Sequence, residues 1–300
     1  MKSWWLACAL VVFGVVRAQA APPTPLLWKA QGESATVYLL GSFHLLKADD
    51  YPLDPAVEAA YAEAERVAFE IDPAEMADPS MVQTVQKLAR FSDERRLSDV
   101  ISADTAKKLR QFLGSDAAMT ASEPFKPWYM GLNISVGMMV MTGLDVKLGL
   151  DQHFMQRAVK DGKIVAGLET AMEQMSALDG SPMDEQAHML DEALEPAADT
   201  RKRILELHAL WRAGDAEGLE KAVNEDMRDN TPIMYERLNR NRNRAWLPQI
   251  VALVHGKQTA LVVVGSMHLL GADGLVELLR AEGFKVERVQ TIPAVLDKAA

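Results

Sequence analysis

Apolar positions fall in two rhythms along this chain. Short apolar or β-branched runs at residues 36–41, 66–71, 164–168, 260–265 and 285–290 predict strands, several of them continuous enough to be buried on both faces. Between them, apolar residues recur at helical spacing over 57–66, 79–91, 104–113, 151–160, 201–213 and 243–254, and many of these segments open on Asp, Ser, Asn or Thr. Strands interleaved with helices predict an α/β fold, a central mixed β-sheet flanked by helices. No fixed-period repeat, low-complexity tract or long Gly/Ser/Pro linker breaks residues 21–300. They are expected to form a single domain with helical insertions around 74–160 and 170–255.

Residues 128–144, entered through Pro124 and Pro127, carry Met130, Met138, Met139 and Met141 at helical spacing. Core packing is the expectation there, with a flexible wall along a substrate groove as the alternative.

One apolar run follows neither rhythm. Lys2 precedes residues 4–16, and Ala18-Gln19-Ala20 follows them, which is the layout of a secretory signal. The run is shorter than the roughly twenty residues a bilayer span needs. Cleavage after Ala20, release into the periplasm or outside the cell, and no membrane span are expected. The one cysteine, Cys8, would leave with the leader, so the exported chain would rest on its core without a disulfide. Losing Lys2 and Arg17 takes the net charge from −10 to −12, which argues against nucleic acid or anionic lipid as a partner.

Two distant segments read alike. Residues 38–46 and 262–270 are each an apolar strand running into Gly-Ser-x-His: Gly41-Ser42-Phe43-His44 and Gly265-Ser266-Met267-His268. In an open α/β sheet, side chains just past the carboxyl ends of strands face the crevice where ligands bind. Each glycine permits a sharp exit that a Cβ would hinder. Two further strands end in acids, Glu70 and Glu169, and an ionised carboxylate there is costly unless something pairs with it. Two imidazoles and one carboxylate, His44, His268 and Glu70, suit Mn, Co, Zn or Fe, with coordination positions left for water and substrate. A lone histidine at a strand end is more often structural, but a repeated motif beside clustered acids favours a shared site. Among the other histidines, His153 is a minor candidate near Asp151. His188 and His208 read as helix surface or core, and His255 as a helix C-terminal residue.

These features resemble the TraB/GumN family, related to the Tiki metalloproteases, over nearly all of residues 21–300. The two Gly-Ser-x-His segments match its paired Gly-x-x-His motifs, Glu70 matches its acid after the first, and Gly167-Leu168-Glu169-Thr170 matches a further segment. Gly143-Leu144-Asp145, Leu150-Asp151-Gln152-His153 and Arg242-Asn243 resemble softer parts of the pattern. The resemblance implies a divalent metal, with manganese or cobalt supporting peptidase activity in the Tiki branch, and a fold akin to the ChaN and erythromycin-esterase group. Members of the GumN branch lie near polysaccharide genes.

The expected function is an exported metal-dependent hydrolase, a peptidase, acting on a peptide or small molecule. His44, Glu70 and His268 would hold the ion, and Glu169 would be a general base or a supporting acid. Arg242 or Arg244 would hold a substrate carboxylate or an oxyanion through its planar donor fork. The alternative for the arginines is a solvated run over 237–244. Asp151 reads as a helix cap or as an acceptor for a ligating imidazole. No His-Glu-x-x-His helix, Gly-x-Ser-x-Gly elbow or Gly-rich phosphate loop is present, and Ser42 and Ser266 are expected to shape or support the site. The competing expectations are a non-catalytic binding protein that takes haem, a metal complex or a glycan in the same crevice, and an accessory protein of polysaccharide export.

Overall fold

The computed structural model describes residues 21–291. The expected leader, its cleavage point and Cys8 lie outside the described residues. Among the described residues six strands form one mixed sheet: β1 (Leu27–Gln31), β2 (Thr36–Ser42), β3 (Arg66–Ile71), β4 (Ile164–Glu169), β5 (Ala260–Gly265) and β6 (Lys285–Arg288), in the order β4-β3-β5-β2-β1-β6. β2, β5, β3 and β4 run parallel, and β1 lies antiparallel between β2 and β6. β1 escapes the apolar-run criterion because Lys29 and Gln31 alternate with its apolar residues.

All six residues of β5 are buried, so both faces of the sheet centre are covered, as parallel strands require. The helix Pro55–Glu63 brings Val57, Ala60 and Tyr61 to the main core, and the helix Leu150–Lys160 brings Leu150, Phe154 and Ala158. The helix Asn241–Val254 brings Trp246, Ile250 and Val254, spaced one helical turn apart.

Between β3 and β4, and between β4 and β5, the chain is mainly helical. A second apolar cluster there joins Leu97, Leu109, Ile134, Met138 and Leu190 to Leu45 from the loop after β2. The helix Pro127–Met141 splits the methionine question by residue: Met138 is core, Met139 lines a cleft and Met141 is 76% exposed. Helices at Ala171–Asp179, Met183–Ala193 and Leu275–Ala281 add to those expected from periodicity. Among the described residues no helix is long and apolar enough to cross a membrane.

One consequence of the topology matters for chemistry. Parallel pairing sets Ser42 opposite Gly265 and Ile71 opposite Glu169, so four carboxyl strand ends stand at one edge of the sheet.

Candidate functional site

His44 lies two residues beyond β2. The helix Leu150–Lys160 starts against this loop, where the Leu150 amide donates to the Phe43 carbonyl at 3.1 Å. That contact brings Asp151 Oδ1 to 3.1 Å from His44 Nδ1. The helix is capped at Gly149 without a side-chain bond, so Asp151 serves the imidazole and is not the cap. Partial desolvation would lower the His44 pKa, but the side chain keeps 57% of its surface exposed and the Asp151 carboxylate outweighs the loss, so the value rises to about 9.

His268 ends the short 3₁₀ turn Ser266–His268 after β5 and is 1% exposed. Its Nδ1 lies 2.8 Å from Asn243 Oδ1. Both amide protons of Asn243 are already spent, on Asn239 Oδ1 at 2.6 Å and the Asp273 carbonyl at 2.8 Å. Its oxygen must therefore accept, and His268 Nδ1 carries the proton. On the other side, Nε2 faces Arg242 Nη1 at 3.1 Å, and a guanidinium can only donate. Both neighbours demand the same neutral tautomer. Burial first, then the Arg242 charge, push the His268 pKa down to about 3.

Glu70 closes the set. Its Oε1 accepts the Gly265 amide at 2.6 Å, and its Oε2 accepts Gln174 Nε2 at 2.8 Å and Arg242 Nη2 at 2.7 Å. Burial would raise its pKa, but the Arg242 and His44 charges and the Gly265 N–H hold it well below the usual carboxylate range. A Cβ placed on Gly265 would lie 3.2 Å from Glu70 Oε1, 3.5 Å from His44 Nε2 and 3.6 Å from His268 Cδ2. The three expected ligands therefore surround one glycine, and its lack of a side chain leaves the space between them.

Arg242 is neither solvated nor free. It is 9% exposed and stacks on Trp246 with 4.7 Å between guanidinium carbon and ring centre. Nε donates to Glu169 and Nη2 to Glu169 and Glu70, while Nη1 donates to the Leu238 carbonyl and faces His268. All five N–H groups of a guanidinium are thereby engaged. The solvated reading fits Arg237 and Arg244, which are exposed. Glu169 is held on two sides of that fork and by Trp246 Nε1 at 3.2 Å, and burial raises its pKa against the pull of Arg242. It sits behind Arg242, outside the lining of the cleft described below.

The donor set suits a divalent cation in its chemistry: each imidazole has Nδ1 bonded to an oxygen, which turns Nε2 inward. Its packing is looser than a finished site. His268 Nε2 and Glu70 Oε1 are 3.9 Å apart, and among the described residues no three His, Cys, Asp or Glu side chains are gathered closely enough to hold an ion as they stand. Arg242 Nη1 occupies the lone pair that His268 would offer.

A cleft opens over His44 and Glu70 with an apolar lobe on each side. One is lined by Ile71, Met76, Val136, Val146 and Met155, the other by Phe43, Met139, Leu219, Val223 and Leu270. Ser42, Leu45 and Gln174 belong to both, and the buried Ser42 hydroxyl has no partner among the described residues. A buried clamp fixes the loop from beneath. Asp50, wholly buried, pairs with His208 Nε2 at 2.8 Å and with Arg212. Phe43 packs edge-on against His208. Trp211 Nε1 donates to the Gly41 carbonyl at 3.1 Å, and Arg212 reaches the Ala21 carbonyl at 2.8 Å.

Gln174, Trp246 and the Asp50–His208 pair carry no motif that spacing could reveal. His153 turns away from the cleft to pack tilted against Tyr51 and edge-on against Phe154, its Nε2 without a partner among the described residues. His188 lies on a helix surface near Glu192, and His255 follows the helix Asn241–Val254 and packs on Phe284.

A sequence profile described as the TraB/PrgY/gumN family matches residues 26–288. The chain is 22% identical over 244 residues to the protein described as "Uncharacterized protein YbaP" from Escherichia coli (strain K12), covering 81% of this chain and 87% of that one. The protein of the same description from Shigella flexneri matches to the same extent. No solved structure matches.

Proposed function

We propose that this chain, which belongs to the TraB/PrgY/gumN family, is an exported metal-dependent hydrolase that cleaves peptides. The observation that carries this reading is the convergence of His44, Glu70 and His268 around Gly265, with the outer nitrogen of each imidazole bonded to an oxygen. A divalent ion held by these three would acidify a bound water and polarise a carbonyl.

The remaining roles follow from the chain itself. Asp151 and Asn243 hold the two rings with Nε2 turned inward. Gly265 N–H and Gln174 fix the Glu70 carboxylate. Arg242 balances the buried charges of Glu70 and Glu169, so Glu169 acts as the anchor of Arg242 and not as the base. The two apolar lobes favour a peptide with apolar side chains on both sides of the scissile bond, because a charged side chain there would lose its water without gaining a partner.

The test is elemental mass spectrometry on untagged protein from the periplasm, beside a folded His44→Ala, His268→Ala double variant, followed by a peptide-library digest. Near-stoichiometric metal that disappears in the double variant, with metal-dependent cleavage, is the expected result. Equal trace metal in both after loading with manganese, cobalt, zinc and iron would overturn the reading and favour a binding protein that uses the same cleft.

A further inference from the structure

Two π-helical turns, Glu220–Glu225 and Glu236–Arg240, interrupt the helical stretch before the helix Asn241–Val254. A π turn inserts one residue into the helical ladder, re-aims the side chains beside it, and is frequent at functional sites. Each turn carries one asparagine with no exposed surface, Asn224 and Asn239. Both donate to the same carbonyl, that of Met267, at 3.0 and 2.9 Å. Met267 immediately precedes His268.

The same carboxamides form a row. Asn224 Nδ2 donates to Glu220 Oε2 at 2.6 Å, Asn239 Nδ2 to Asn224 Oδ1 at 3.2 Å, and Asn243 Nδ2 to Asn239 Oδ1 at 2.6 Å. Asn243 Oδ1 then meets His268 Nδ1 at 2.8 Å. Each of the three NH2 groups has two protons, and each proton has an acceptor: the Met267 carbonyl twice, the Asp273 carbonyl, Glu220, Asn224 and Asn239. The direction of the row is set along its length by groups that only accept: the Glu220 carboxylate at its far end, and the Met267 and Asp273 carbonyls. Arg228 Nη2, 2.8 Å from Glu220 Oε1, keeps that carboxylate in place. Flipping any one amide would set two NH2 groups or two carbonyl oxygens face to face in a buried row, where unmade hydrogen bonds are costly.

We infer that Asn224 and Asn239 are positioning residues for His268. They hold the backbone before it through the Met267 carbonyl. Through Asn243 they carry the polarity of the row to its ring, which with Arg242 Nη1 on the other side leaves the proton on Nδ1 and the lone pair on Nε2. The use made of that lone pair rests on the proposed function; the tautomer does not.

The test is nitrogen NMR of the full chain with 15N-labelled histidine at neutral pH, on the wild type, Asn239→Ala and Glu220→Gln, with manganese affinity measured on each. Wild-type His268 is expected as the Nδ1–H tautomer alone. Glu220→Gln is expected to keep the single Nδ1–H tautomer, because the Met267 and Asp273 carbonyls and Arg242 Nη1 still fix the row and the ring. Asn239→Ala, which frees the Met267 carbonyl and the ring behind it, is expected to admit a second population protonated at Nε2 and, if His268 binds the ion, a fall in manganese affinity of about 10–100-fold. Should Asn239→Ala not fold, Asn224→Ala, which removes the other donor to the Met267 carbonyl, decides. A single Nδ1–H tautomer unchanged in the folded asparagine variant, or an Nε2–H ring in the wild type, overturns the inference. Tautomer mixing without manganese binding to any form would leave the inference standing and remove the metal from the proposed function.

Discussion

Arg242 Nη1 stands 3.1 Å from His268 Nε2, so a fixed cation already engages the lone pair that a metal ion would need. The same guanidinium pairs Glu70 and Glu169, both buried. Replacing it with an apolar chain strands two carboxylates. Arg242→Met is expected to cost about 3–5 kcal/mol in urea unfolding. Divalent ions should then raise the melting temperature of the variant more than that of the wild type, because two unpaired acids and a freed imidazole remain. An unchanged unfolding midpoint would show that the three-way pairing contributes nothing.

The Asp151 carboxylate sets the charge of His44. In the metal-free protein the His44 ring should titrate near 9 by proton NMR, and Asp151→Asn should bring it down, since only the Glu70 carboxylate then opposes desolvation and the Arg242 charge. The folded value lies above the ordinary 6.5, so the pair stabilises fully below pH 6.5 and its contribution fades as pH rises through 9. The variant should be less stable than the wild type at mildly acid pH and equal to it well above pH 9. A stability gap that persists in strong alkali would assign Asp151 a different role.

Gly265 is where the absent side chain matters most. Its φ of −52° suits any residue, so Gly265→Ala tests space alone. The added methyl would lie 3.2 Å from Glu70 Oε1, tight enough to displace the carboxylate. Stability should fall by about 1 kcal/mol, while ion affinity should drop by at least about tenfold. Wild-type affinity in this variant would mean that the three side chains do not share an ion.

Val146 borders one apolar lobe and is 43% exposed, so its replacement should spare the fold. Val146→Lys is expected to change stability by no more than about 0.5 kcal/mol. KM for peptides with apolar side chains should rise roughly tenfold, with kcat little changed, because a charge now meets apolar surface. Equal KM values would place the substrate elsewhere.

Four of the strand ends were readable in the sequence because each is an apolar run closed by a polar residue with chemistry to offer. Ser42 with His44, Glu70, Glu169 and Gly265 with His268 all reach the same sheet edge. What the sequence withheld are relations between segments. Asp151 looked at least as much like a cap as a partner of His44, since both roles ask only for a carboxylate near a helix start. Arg242 sat in a run of arginines whose members differ only in burial, which charge pattern does not record. Asn224 and Asn239 stand on π turns, and a helical wheel of period 3.6 assigns the wrong phase to a residue beyond an inserted one.

Arg212 reaches two ways, to Asp50 beneath the His44 loop and to the carbonyl of Ala21, while its own carbonyl accepts the Thr24 amide at 2.8 Å. The first described residues are thus stitched to the brace under the working loop. A purification handle fused directly ahead of Ala21 would tug on that stitch, whereas a flexible spacer would leave it slack. For engineering, the segment around Ala21 and Thr24 is part of the brace beneath the cleft, and the position of a tag is a variable to be controlled in every assay of the cleft.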